Sequence, residues 1–299
     1  MIPLISSNCY GPLGVCQLPR FWWKVLLRKK GLLDEEYPDF SDGLDAGVLR
    51  TLGLEKEAAL DYLRSNLPTY LDFEAWVLRQ KGGELDREAV EKWNFAVRTR
   101  LHTRPEKIEE TYRDIGFGKD VKINSAVILN SLQDWQLFYK RDLNTGFPGL
   151  GGKVAPLIAT IDYGPLGVCQ LPRTWHKILL RAKGMLHPDY PDMTKSGLDP
   201  MALAVLKLDV EAVLKHIREN LPSYLQFEGW VLEQTRGRID RDAVEEWNTF
   251  LRKRIHNDAK RTEIHATVGR KDDGTLTSAV ALNHIEDWHL AHAQLVKRH

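Results

Sequence analysis

Cysteine is nearly absent from this chain: there are three in 299 residues, an odd number. A disulfide framework is therefore excluded as the basis of its stability, and reduced thiols in a cytoplasmic setting are the default expectation. An excess of charge of either sign is lacking as well. Lys and Arg total 42 against 41 Asp and Glu, and each half is near balance, with 21 against 22 before residue 151 and 21 against 19 after it. Such a balance leaves no electrostatic footprint for nucleic acid or an anionic membrane. No stretch approaches the ~20 apolar residues of a membrane span, and Met1 to Tyr10 carries neither the basic residues nor the apolar run of a secretory signal. HExxH, CxxC and the GxxxxGKS/T phosphate loop are also missing. The expectation is a protein with no cofactor and no metal site.

What is present is a repeat. The string GPLGVCQLPR occurs at Gly11 to Arg20 and again at Gly164 to Arg173. The match continues at an offset of about 153 residues through Tyr37-Pro38-Asp39 and Tyr190-Pro191-Asp192, Asn66-Leu67-Pro68 and Asn220-Leu221-Pro222, Glu74 and Glu228, Trp93-Asn94 and Trp247-Asn248, and Asp134-Trp135 and Asp287-Trp288. A repeat this long is a whole domain, large enough to bury its own core. The reading is two tandem homologous domains, residues 1–143 and 155–299, related by pseudo-twofold symmetry and joined by a Gly/Pro-rich linker at 144–154.

Periodicity within each copy is helical, and convincing alternating strands are absent, so the fold class is all-α. Pro19 and Pro172 suit a first helical turn, and Gly31 and Gly184 suit the stop. Further helices are expected from about 44 to 53, 55 to 66, 68 to 80, 86 to 102 and 125 to 143. Asp86 and Asp240 each open one as an acidic N-cap. Eight of nine tryptophans form inter-copy pairs at helical spacing and read as core. Trp23, whose counterpart is His176, is the ninth.

The order Leu18-Pro19-Arg20, Lys24, Gly31, Leu33, Tyr37, Gly43-Leu44-Asp45, Leu49 and Leu52-Gly53-Leu54, repeated from Leu171 to Leu208, resembles a family of small bacterial proteins classed as a domain of unknown function. The resemblance covers roughly the first 100 residues of each copy. It implies a fold unit and supplies no catalytic residue.

Candidate chemistry rests on residue type and place. Cys16 and Cys169 precede the helix-opening prolines, where a helix dipole can lower a thiol pKa; the alternative is a small apolar residue in a buried turn. Arg20 and Lys24, like Arg173 and Lys177, lie four apart on one helix face, which calls for an anion or carboxylate between them. Asp39, Asp45, Asp192 and Asp199 offer that partner as an internal ion-pair network; an anionic or carbonyl-bearing substrate is the other option. Tyr37 and Tyr190 could add a phenol to either. His289 and His292 are i, i+3 neighbours on the last helix, for which a solvated C-terminal helix is the expectation rather than a metal pair.

Two functions remain open. One is a cofactor-independent acid/base enzyme of the isomerase, lyase or cyclase type with a Trp-lined pocket for a small, partly apolar molecule. Arg173, Lys177, Asp192, Asp199, Tyr190, His176 and Cys169 would then be catalytic, and Arg20, Lys24, Tyr37, Asp39, Asp45, Cys16 and Trp23 would bind substrate. The second copy, with the extra imidazoles of His176 and His187 in place of Trp23 and Asp34, is the expected competent half. The other function is a non-catalytic small-molecule-binding or protein-assembly module. Homo-oligomerisation is compatible with either.

Overall fold

A computed structural model describes residues 1–117 and 122–297. Among these the chain is all-helical, with only three isolated bridges, at Leu101 with Ser125, Val154 with Leu186, and Ile255 with Ser278. The helices are α1 (Leu18–Lys29), α2 (Leu44–Thr51), α3 (Lys56–Asn66), α4 (Tyr70–Gln80), α5 (Arg87–Thr99), α6 (Pro105–Ile115), α7 (Ala126–Lys140), α8 (Asp142–Thr145), α9 (Leu171–Ala182), α10 (Leu198–Val205), α11 (Val210–Asn220), α12 (Tyr224–Gln234), α13 (Arg241–Lys253), α14 (Asp258–Thr267) and α15 (Ala279–Val296). No helix among the described residues is long and apolar enough to cross a membrane.

Local chemistry sets the ends. Pro19 falls in the first turn of α1, and Gly31 closes it at φ 67°, a backbone region that side chains with a Cβ disfavour. The Asp86 carboxylate accepts from the Ala89 amide at 3.0 Å, and Asp240 from Ala243 at 3.1 Å, capping α5 and α13. α6 and α14 follow as short, largely polar helices with few buried positions.

Two compact units result, and they divide the chain differently from the repeat. Unit 1 consists of Met1–Arg100 with Arg254–His299; unit 2 is Leu101–Lys253. Each unit thus contains α1–α5, or its counterpart α9–α13, completed by a two-helix C-terminal segment from the other half: α14 and α15 in unit 1, α6 and α7 in unit 2. α15 packs on α4, and α7 packs on α12. The cause is visible where α5 ends: Arg100 turns extended at ψ 135°, and His102 donates its amide to Asn124 at 2.8 Å, so the chain runs on into unit 2. His256 makes the same bond to Thr277 at 3.2 Å in unit 1.

The stretch at 144–154 is packed. Phe147 is buried and stacks on Phe138 at 6.2 Å, and Val154 exchanges backbone hydrogen bonds with Met185 and His187.

Candidate functional site

The repeated decapeptide forms a buried loop clasped by two helices. Tyr70 on α4 donates its hydroxyl to Glu74 Oε1 at 2.8 Å, and that carboxylate accepts the Leu13 amide at 3.2 Å. Arg87 on α5 donates to the Leu13 carbonyl at 3.0 Å. Nearly two turns further along α5, Trp93 Nε1 donates to the Cys16 carbonyl at 2.9 Å, while Asn94 accepts the Cys16 amide at 2.9 Å and donates to the Gly14 carbonyl at 2.7 Å. Unit 2 has the same clasp in Tyr224, Glu228, Arg241, Trp247 and Asn248 around Leu166, Gly167 and Cys169. Burial pushes the Glu74 carboxyl up to about 8 and that of Glu228 to about 7, against hydrogen bonds from tyrosine and backbone and the nearby arginine, which act to lower them. These glutamates, arginines and asparagines were not among the sequence candidates. Their signal was a charged or amide residue retained in both copies beside apolar helix positions.

Of the predicted cation–carboxylate set, the lysine and one aspartate meet in each unit, within a hydrogen-bonded network. Lys24 Nζ donates to Asp45 Oδ2 at 2.5 Å and to the Pro38 carbonyl at 3.3 Å. Asp45 also accepts from Gln17 Nε2 at 2.7 Å and from the amide and hydroxyl of Ser41, each at 2.9 Å. Gln17 holds this position in a left-handed conformation, φ 72°. In unit 2, Lys177 meets Asp199 at 2.6 Å, with Gln170 and Thr174 donating to the other carboxylate oxygen at 2.8 Å. Burial would raise the Asp199 pKa, but Lys177 and those hydrogen bonds prevail and hold it below the ordinary value. Both pairs are almost fully buried.

The remaining predicted residues surround this network. Arg20 donates to the carbonyls of Pro3 and Ile5, Arg173 to those of Pro156 and Ile158. Their guanidinium groups lie over the rings of Tyr37 and Tyr190 at 5.8 and 5.9 Å. Asp39 pairs with Arg64 and Asp192 with Arg218, both at 2.7 Å. Thus Arg20 and Lys24, though on one helix, serve different partners.

Four expectations need correction. Cys16 and Cys169 are fully buried, and burial pushes their thiols up to about 11 and 12, outweighing the lowering by Arg98 and Arg252, so the helix terminus does not activate them. The expected acid/base imidazole of His176 is likewise fully buried. Burial, aided by Arg173, pulls its pKa down to about 3, and neither ring nitrogen has a hydrogen-bond partner. Trp23 is fully buried beside Trp22 at 5.4 Å, so it lines no open pocket.

The fourth correction concerns the last helix. α15 is not solvated: Trp288, Ala291 and His292 are buried. His292 Nε2 donates to the Leu67 carbonyl at 2.9 Å and its ring stacks on Trp22 at 6.1 Å. His284 Nδ1 donates to the Tyr10 carbonyl at 2.8 Å. The tryptophans also behave as core, Trp93 and Trp230 being half-buried and the others buried. A cavity of about 10 Å³ lined by Thr69, Tyr70, Leu71, Ile285 and His289 has room for about one water molecule. On α13, Asp242, Glu245, Glu246, Thr249 and Phe250 line an open shelf.

No family model, no curated protein and no solved structure matches this chain.

Proposed function

We propose that this protein is a non-catalytic assembly module, built as a fused tandem duplication of one helical domain. The repeat unit is that of the small bacterial family its LPR…K…Y…GLD…LGL pattern resembles. One observation carries the proposal. The side chains best suited to acid/base work are spent on one another and on the backbone: the Lys24–Asp45 pair is closed by Pro38, Gln17 and Ser41, and Lys177–Asp199 by Gln170 and Thr174. A catalytic lysine or carboxylate needs a lone pair or proton facing substrate. The thiols and the imidazole of His176 are driven by burial away from their reactive forms.

The test is direct titration of the intact chain with inorganic phosphate, as an anion, and pyruvate, as a carbonyl compound, followed by amide NMR. The proposal expects no saturable shift at the amides of Ser41 and Thr194, which donate to the two carboxylates. Saturable binding that Lys24→Met or Lys177→Met abolishes would instead establish the small-molecule pocket.

A further inference from the structure

The two C-terminal helical segments differ from each other where they meet the rest of their units, and the differences are complementary. The registers can be aligned from their hydrogen bonds. Tyr139 on α7 donates its hydroxyl to the Leu221 carbonyl at 2.8 Å in unit 2, and His292 on α15 donates to the equivalent Leu67 carbonyl at 2.9 Å in unit 1. The preceding residues, Phe138 and Ala291, are therefore equivalent, and both are buried. Phe138 stands edge-on to His176, ring centroids 4.9 Å apart at 86°. The residue equivalent to His176 in unit 1 is Trp23, fully buried next to Trp22, on which His292 stacks. Unit 2 thus combines a small ring with a large segment side chain, and unit 1 a large ring with a small one. Were each half to keep its own segment, Trp23 would meet Phe138 and His176 would meet Ala291. One site would be overfilled and the other left with a void, both of which a close-packed interior resists.

An exposed charge follows the same rule. Phe117 and Arg270 are equivalent, because each follows a glycine with positive φ and bonds its amide to a carbonyl five residues back, those of Tyr112 and His265. Arg270 donates to Asp72 Oδ1 in unit 1. The residue equivalent to Asp72 is Gln226, while Phe117 packs edge-on against Tyr112 at 5.4 Å. Exchanging the segments would leave Asp72 facing Phe117 and Arg270 facing Gln226.

We infer that the two helical bodies carry non-interchangeable docking surfaces, each selecting the C-terminal segment of the other half through side-chain size at residues 23, 138, 176 and 291 and through charge at residues 72 and 270. Selection by mismatch in the wrong pairing is how closely similar surfaces are kept apart. The inference rests on the duplicated-assembly reading.

Double-mutant cycles on the full chain test it by thermal unfolding. His176→Trp should lower the midpoint by about 3–10 °C, the scale of one overpacked ring in a chain this size, and adding Phe138→Ala should recover most of that loss. Ala291→Phe should behave likewise and be rescued by Trp23→His. If the single variants do not fold, recovery of folded protein in the doubles is the supporting result. The exposed pair supplies a cycle that leaves the core intact: Asp72→Arg and Arg270→Asp should each lower the midpoint, and the double should regain it. Additive losses in all three cycles, or a His176→Trp chain as stable as the parent, overturns the inference. Saturable phosphate or pyruvate binding alongside intact coupling overturns only the functional proposal.

Discussion

The Cβ that Gly11 lacks would sit 2.3 Å from the Tyr70 ring and 2.8 Å from Glu74 Oε1; at Gly164 the matching distances to Tyr224 and Glu228 are 2.4 and 2.6 Å. The first glycine of the repeated string is therefore required by the tyrosine–glutamate pair that closes over it. Gly11→Ala and Gly164→Ala should each destabilise the chain by about 1–3 kcal/mol, because the clashing atoms belong to buried side chains with little freedom to move. Urea unfolding of the two variants checks this. A change within a few tenths of a kcal/mol would mean that the clasp yields.

Glu74 and Glu228 give stability a definite slope with pH. Their folded pKa values, about 8 and about 7, lie above the ordinary 4.5, so the neutral carboxyl is the favoured buried form. Their stabilising contribution is fully present below pH 4.5 and is lost as pH rises through 7 and 8, at a slope of at most about 1.4 kcal/mol per pH unit for each group. Asp199 works in the opposite direction: its pKa is lowered, so its contribution is present above the ordinary 3.8 and is lost as pH falls through the folded value. Unfolding free energy measured from pH 4.5 to 9 should fall between about pH 4.5 and 8 and level off above. Glu74→Gln should flatten that fall, and an unchanged slope would show Glu74 ionised throughout.

The buried ion pair should respond differently to single and joint replacement. Asp45→Asn leaves the Lys24 ammonium in a buried site and should cost about 3–5 kcal/mol, whereas joint Lys24→Met and Asp45→Leu should recover much of that loss. Chemical denaturation of the three chains decides it. Equal losses in the single and the joint variant would show that the pair's geometry itself carries the stability.

Both repeat cysteines should resist alkylation. With thiols pushed up to about 11 and 12, Cys16 and Cys169 should take no iodoacetamide at pH 8 in the native chain and should label once it is unfolded in denaturant. Rapid native labelling of either one, read by mass spectrometry, would show that its loop opens.

The helices and their punctuation were legible in the sequence because they follow from short-range chemistry: Pro19 and Gly31 bracket α1, and Asp86 caps α5. α6 and α14 were missed because their faces are mostly polar, with Thr111 and Ile115 the buried residues of α6. Which half a C-terminal segment completes could not be read at all. Trp135 and Trp288 are identical in type, and each packs edge-on against a tyrosine, Tyr224 and Tyr70 respectively, so the apolar spacing of the two segments is the same, and the size differences at residues 23, 138, 176 and 291 gain meaning only once the fold brings those residues together. Among the candidate site residues, the partnership of lysine and aspartate was visible as like charges demanding a carboxylate. The closure of that network by Gln17, Ser41 and Pro38 was not, since it depends on where a loop returns.

The crossing at Arg100 also sets an order of events during synthesis. Unit 2 is one continuous stretch and has all its parts once Lys253 has emerged, whereas the first 100 residues of unit 1 must wait for the segment that begins at Arg254. At ~5–20 residues per second the intervening stretch takes on the order of ten seconds to make. Through that interval the faces of α1 and α4 that α15 will cover, including Trp22 and Tyr70, stay open to water. The half made first is thus the half finished last, and in a growing chain it is the part most in need of protection from aggregation.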